Sequence, residues 1–267
     1  MSKLKSSLKK IIFKVGGEKG YKKAYVKGKI QDIKNNKYDE IELSFSENFI
    51  KEDSIVLDLG ANYGHYCVKM AQKCLKGKVI AFEPIPFTFD VLTQVVKGFG
   101  LTNIDLHHAA VSNAEGEITM QLPLLDFGGP NTGVAYIGNE KEENSDEHTV
   151  KTIKLDDLDI QGSIDFVKMD IEGHEPIAVE GMRELLTKHQ PTILIEFSHT
   201  CMLRAGHTPA YFSDVLKNEL GYEFYELKET LKGPLSLSLN VQKHPSDGYY
   251  FLIHQAQSSK FESLINS

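Results

Sequence analysis

Apolar residues along this chain fall into two alternating kinds of block. From residue 53 onward, short runs apolar at nearly every position, "SIVLDLG", "KVIAFEP" and "IDFVKMD", are separated by longer stretches. In those stretches apolar residues recur every three or four positions. A short continuous run fits a strand buried on both faces, and the longer repeat fits a helix burying one face. "HYCVKMAQKCL" is such a helix, with Cys67, Ala71 and Cys74 on its inner side. "TFDVLTQVVKGFG" is a second, with Leu92, Val95, Val96 and Phe99 inward. "NIDLHHAAV" is a third strand. After "IDFVKMD" the same alternation gives helix "PIAVEGMRELLTKH", strand "PTILIEF" and helix "TPAYFSDVLKNEL", then strands "YEFYEL" and "GYYFLIHQ". Strands and helices alternating at this spacing predict an α/β fold, a doubly wound Rossmann-like sheet with mostly parallel strands.

Two regions depart from the alternation. Residues 115–155 contain strands "GEITMQL" and "TVKTIKL" around the turn "DFGGPNTG" and the acidic run "NEKEENSDEH". They predict an insertion over one edge of the domain, near a substrate entrance. Residues 1–50 form a preface: "LKKIIFKV" predicts a short amphipathic helix, and "YDEIELSFSENFI" a strand or loop. The main domain is expected over residues 51–257, with residues 258–267 as a tail.

Charge changes this picture at one end. Residues 1–37 hold twelve lysines against two acids, Glu18 and Asp32, although the whole chain carries a net charge of -7. A basic arm on an acidic body predicts a solubilising terminus or a contact with a membrane surface or larger assembly. The acidic body argues against a nucleic-acid partner. The three cysteines include no CxxC pair, so neither a disulfide framework nor a zinc knuckle is expected. No apolar run reaches the roughly 18 residues of a membrane helix, and "IIF" is too short for a signal-peptide core. A cytoplasmic protein is the expectation.

Candidate chemistry gathers at strand ends. "VLDLGANYG", residues 56–64, joins the first strand to the first helix, where a nucleotide-like cofactor docks in a doubly wound sheet. Gly60 and Gly64 permit a tight turn, with Ala61 and Asn62 between them. This GxxxG spacing differs from the GxGxxG of dinucleotide enzymes, which argues against a nicotinamide-dependent oxidoreductase. Asp58 would repel a pyrophosphate, whereas S-adenosyl-L-methionine carries a sulfonium and an ammonium. Glu83, 19 residues after Gly64 and followed by Pro84, can accept hydrogen bonds from ribose hydroxyls. Ala109 and Ala110 are small enough to lie against an adenine.

The strand "IDFVKMD" should end at the same crevice, delivering Lys168, Asp170 and Glu172 to it. Asp170 is the candidate base or acceptor-orienting group, Glu172 the second choice, and Lys168 their partner. Glu175 reads as favourable charge at a helix start. Glu196 and His199, after "PTILIEF", are candidates to hold a polar acceptor. Asp170, Glu172, Glu196 and His199 are also residue types that bind divalent cations. No dense carboxylate motif accompanies them, and no metal is assigned.

Taken in order, "VLDLGANYG", "VIAFEP", "AAVSNAEGEI", "IKLDDL", "DFVKMDIEGHEPIAVEGM" and "PTILIEF" resemble the FkbM family of S-adenosylmethionine-dependent methyltransferases. The resemblance covers roughly Asp53 to Phe197. It implies the class I methyltransferase fold, a seven-stranded sheet with an antiparallel last strand, which here would be "GYYFLIHQ". It implies O-methylation of a sugar or glycan hydroxyl, with a lipid or polyketide-type natural product as the alternative acceptor. A methyltransferase-like module that binds without turnover is the non-enzymatic alternative.

Overall fold

The computed structural model describes residues 3–37, 40–137, 144–228, 235–240 and 244–266. Residues 139–143 of the acidic run therefore lie outside the described residues. Strands β1 (Ile55–Leu59), β2 (Lys78–Phe82) and β3 (Ile104–His107) open the main sheet. A second sheet contains β4 (Ala110–Ser112), β5 (Gly116–Pro123), β6 (Tyr136–Ile137) and β7 (Ser145–Lys154). The main sheet resumes with β8 (Ile164–Met169), β9 (Thr192–Phe197), β10 (Tyr222–Lys228), β11 (Ser236–Leu239), β12 (Gly248–His254) and β13 (Ile265–Asn266). Helices α1 (Lys3–Lys34) and α2 (Ile41–Ser46) precede β1; α3 (His65–Lys73) and α4 (Pro86–Phe99) flank β2. Helices α5 (Glu175–Glu180) and α6 (Arg183–His189) separate β8 from β9, and α7 (His199–Arg204) and α8 (Pro209–Asp214) follow β9.

The main sheet runs β13-β11-β10-β12-β9-β8-β1-β2-β3. From β3 to β9 every pairing is parallel. β1 is buried at all five positions because both sheet faces are covered, which explains its unbroken apolar run. β12 lies antiparallel between β9 and β10, as expected for "GYYFLIHQ". Among the described residues the expected seven strands are joined by two more, β11 and β13, which extend the edge beyond β10. Both are short, and neither carries a long apolar signal.

Other departures have local causes. The expected single helix over "PIAVEGMRELLTKH" breaks at Gly181, where a Cβ would stand 1.9 Å from the Ser112 carbonyl oxygen. Asp156 then accepts from the Glu184 and Leu185 amides at 3.2 and 2.9 Å, capping α6 from another element. "TPAYFSDVLKNEL" divides into α8 and a π-helical turn over Val215–Glu219. The expected third strand divides too, with β3 in the main sheet and β4 in the inserted one. The described part of "YDEIELSFSENFI", residues 40–50, forms α2 and a 3-10 turn rather than the expected strand or loop, and Phe45 and Phe49 pack on Phe251 with ring centroids 5.3 and 5.4 Å away.

The basic segment is a long helix rather than a short one. α1 is kinked at Gly17 and lies along α4. Tyr21, Val26 and Ile33 are buried in the same core cluster as Val91, Leu92 and Val95 of α4. Gly98 permits the close approach, since a Cβ there would meet Ile30 Cδ1 at 2.5 Å. Tyr21 also packs against Phe13 and Phe127, the latter from the insertion. In the tail, Phe261 packs edge-on against Phe49 at 4.9 Å.

Tyr21 tests whether α1 belongs to this core. Its ring is buried while its hydroxyl has no hydrogen-bond partner among the described residues. Tyr21→Ala should cost about 3 kcal/mol or more in urea unfolding, and Tyr21→Phe should be neutral or stabilising because it removes a buried orphan hydroxyl. An alanine variant within about 0.5 kcal/mol of wild type would mean that the helix contributes no core packing.

Candidate active site

The carboxyl ends of β1, β2 and β8 meet around a cavity of about 200 Å³. The loop after β1 forms one wall. Gly60 has φ +81°, and a Cβ there would stand 2.0 Å from the Asp170 carbonyl oxygen. No other residue lets the loop approach β8 this closely. The Gly60 and Ala61 amides donate to the Phe82 carbonyl at 3.1 and 2.9 Å. The Asn62 amide donates to Glu83 Oε2 at 3.0 Å, and the Ile85 amide to Glu83 Oε1 at 2.9 Å. Glu83 is thus fixed by one backbone donor on each oxygen, and each oxygen keeps further acceptor capacity. Burial pushes its carboxyl up to about 7, with the two amide bonds acting in the other direction.

Lys168 joins this wall to the next. Its Nζ donates to the Gly60 carbonyl at 3.0 Å. It lies 3.4 Å from Asp170 Oδ2 and 3.9 Å from Asp58 Oδ1. Burial disfavours the ammonium, but Asp170 and Asp58 outweigh it and hold the group charged. Asp58 is fully buried and does not line the cavity; it sits behind it as the counter-charge of Lys168. Burial raises Asp58 to about 6 against the pull of Lys168. Gly64 also stands back from the cavity, at the start of α3, where a Cβ would meet Leu92 Cδ1 at 2.7 Å.

Lys168, Asp170 and Glu172 all line the cavity, as do Gly60, Ala61, Asn62, Glu83, Pro84, Ala109 and Ala110. The turn after β8 is held by Glu175, whose Oε1 accepts from the Ile171 amide at 2.9 Å. Glu175 therefore acts inside its own loop, buried to 2% exposure, rather than as a solvated helix-start charge. Glu196 does not line the cavity itself. Burial first, and then the neighbouring Asp170 charge, raises its carboxyl to about 8. His199 points elsewhere: its amide and Nδ1 approach Asp247 Oδ1 at 2.7 and 2.6 Å.

The remaining walls come from residues that the sequence reading left unassigned. Glu40, Tyr66 and Tyr249 contribute from the preface, α3 and β12. The Tyr66 hydroxyl donates to Glu40 Oε2 at 2.6 Å. His174 lines the cavity beside Ser112, 3.2 Å from its Oγ; burial pushes His174 down to about 4, so it is neutral at physiological pH. The insertion supplies Met120, Thr132, Gly133, Ala135 and Ile137. Asn62 Nδ2 donates to the Thr132 carbonyl at 3.2 Å, and Tyr25 of α1 lies 3.1 Å from Thr132 Oγ1 through its hydroxyl. Only the antiparallel pairing of β12 with β9, which sets Tyr249 opposite Glu196, brings that tyrosine to the site. Among the described residues, no group of three or more histidine, cysteine or acidic side chains is arranged to hold a metal ion.

The sequence model described as "Methyltransferase FkbM domain" matches residues 58–224. Hexuronic acid methyltransferase AglP of Haloferax volcanii is 32% identical over 162 residues, covering 59% of this chain and 61% of that protein. Methyltransferase sdnD of Sordaria araneosa is 24% identical over 167 residues, covering 51% of this chain and 62% of that protein. The chain thus spans about three fifths of the length of these relatives. A solved structure of methyltransferase FkbM from Methylobacillus flagellatus KT aligns with a TM-score of 0.46 and 18% identity, over 76% of this chain and 44% of that one.

The buried carboxyls make stability depend on pH. Glu83 and Glu175 are raised to about 7 and Glu196 to about 8, so the folded chain holds these protons longer than the unfolded chain. Their contribution is full below the ordinary glutamate value and drains away as pH rises through 7 to 8. His174 acts in the opposite direction only between about 4 and 6.5. Lys29, lowered to about 8 by burial, acts only above that. The urea midpoint of the ligand-free protein should therefore fall between pH 6.5 and pH 8, and Glu83→Gln should shrink the fall. Equal wild-type midpoints at the two pH values would contradict the assignment.

Proposed function

The chain belongs to the FkbM methyltransferase family, and on that premise we propose that it transfers the methyl group of S-adenosylmethionine to a hydroxyl of a sugar or glycan. One observation carries the reading. Glu83 and Asp170 line the same cavity, and the loop at Gly60 touches the backbone of both their strands. S-adenosylmethionine supplies a methyl carbon already activated by its sulfonium. The residues suited to hold it are Glu83, toward the ribose hydroxyls, and the backbone of Gly60 to Asn62. Pro84, Ala109 and Ala110 form the low wall beside them.

An alkyl hydroxyl is a poor nucleophile until a base takes its proton. Asp170 is the base in this reading: it lines the cavity and is partly exposed, whereas Asp58 is sealed behind Lys168. The acceptor oxygen gives its proton to Asp170 as it bonds to the methyl carbon, and the carbon–sulfur bond breaks on the opposite side. Lys168 fixes the direction of the Asp170 carboxylate, which serves the alignment that in-line displacement needs. Glu196, whose carboxyl is raised by burial and by the Asp170 charge, stands behind Asp170 as its neighbour. Glu172 and neutral His174 offer hydrogen bonds to a polyol, and the Tyr66 and Tyr249 rings limit access of water. A sugar acceptor is favoured by this mixture of acids and aromatic rings and by the name of the relative in Haloferax volcanii, a hexuronic acid methyltransferase.

Calorimetric titration with S-adenosylmethionine and S-adenosylhomocysteine should give micromolar binding, weakened roughly tenfold or more in Glu83→Ala, which loses a charged hydrogen-bond acceptor. Asp170→Asn should keep that binding while turnover with a sugar acceptor drops by roughly 10²- to 10⁴-fold. Turnover near wild type in Asp170→Asn would remove the base from this residue. An absence of binding by the folded wild-type chain would sink the donor assignment.

A further inference from the structure

α1 has an outer face that its core packing does not use. Before the kink at Gly17, Ile11 and Val15 stand in solvent; after it, Lys19, Lys23 and Lys27 follow one another at four-residue intervals and are exposed as well. Ile11 is 59% exposed and Val15 84%. Lys10 and Lys14 flank this apolar pair and are exposed too. Among the described residues, none of Lys10, Lys14, Lys19, Lys23 and Lys27 has an ion-pair partner. The acid on this stretch, Glu18, faces Lys22 at 3.8 Å. Tyr21, Val26 and Ile33 anchor the opposite side of the helix, so the lysine ridge is held outward.

The same helix reaches the mouth of the cavity. Tyr25 touches Thr132 of the cavity wall, and Lys29 Nζ lies over the Tyr63 ring, 3.4 Å from its centroid. No helix among the described residues is long and apolar enough to cross a membrane. A lysine ridge with two apolar side chains standing in solvent is the pattern of a helix lying on a charged interface.

We propose that the outer face of α1 docks on an anionic lipid surface and sets the mouth of the cavity beside it. The lysine heads meet lipid phosphates, while Ile11 and Val15 enter the headgroup boundary. A nucleic acid would satisfy the lysines but leave both apolar side chains in water, and the acidic remainder of the chain would repel it. The two exposed apolar residues therefore decide between these partners.

The test is flotation of the full chain with vesicles of phosphatidylcholine mixed with phosphatidylglycerol, and with phosphatidylcholine alone. Binding is expected on the mixed vesicles only, and it should weaken with added salt. The triple variant Lys19→Gln, Lys23→Gln, Lys27→Gln should bind roughly a hundredfold more weakly, from about a fivefold factor per surface lysine. The double variant Ile11→Ser, Val15→Ser should also lose affinity. No binding by wild type, or equal binding by the lysine variant, would overturn the proposal. So would full vesicle binding by the apolar variant combined with release of the protein by duplex DNA, which would make the face a general polyanion site. None of these five residues lies in the core or lines the cavity, so melting midpoint and S-adenosylmethionine titration should match wild type in each variant. Those two readouts separate a failure of docking from misfolding and from failure of the donor assignment.

Discussion

Lys168 brings a full positive charge to a position where only 5% of the residue is exposed, and the groups it meets there come from the two central strands. β1 and β8 pair in parallel with Asp58 directly beside Lys168 in the register. The ammonium reaches past Asp58 to the Gly60 carbonyl and to Asp170. Removing Lys168 would leave Asp58 buried without its counter-charge, which costs far more than the intact set contributes. The loop at Gly60 and the carboxylate of Asp170 are therefore one electrostatic unit. The glycine at position 60 is the steric half of the same arrangement, since the loop can contact Asp170 only where no Cβ intervenes.

Much of this unit was legible in the sequence because its parts sit at strand ends. An apolar run that stops at a glycine or an acid marks the carboxyl edge of a parallel sheet, and "VLDLG", "IAFEP" and "FVKMD" all do so. That rule placed Glu83, Lys168, Asp170 and Glu172 at the cavity. It could not separate residues that face the cavity from those one position behind it. Asp58 and Gly64 share the motif, yet one is buried as a counter-charge and the other accommodates helix packing. Glu196 and His199 show the same limit: one reaches the site through Asp170 and the other turns to Asp247.

What the sequence did not disclose depends on contacts between distant segments. α1 carries so many lysines that its composition suggests a solvated arm, and its buried residues, Tyr21, Val26 and Ile33, are too sparse to announce a core helix. Their partners, α4 and the insertion, are more than 50 residues away. Tyr66, Tyr249 and Glu40 likewise reach the cavity only after α3, β12 and the segment before α2 are packed together. Local periodicity carries no record of such meetings.

The bond from Asn62 to the Thr132 carbonyl has a thermodynamic side. Asn62 belongs to the loop latched to Glu83, while Thr132 belongs to the inserted wall. A ligand that orders one of these segments lowers the entropy cost of ordering the other. Linkage makes that coupling reciprocal: whatever factor a bound donor adds to acceptor affinity, a bound acceptor adds to donor affinity. On the proposed function, one amide hydrogen bond would thus give the two reactants a route to favour each other's presence before any chemistry begins.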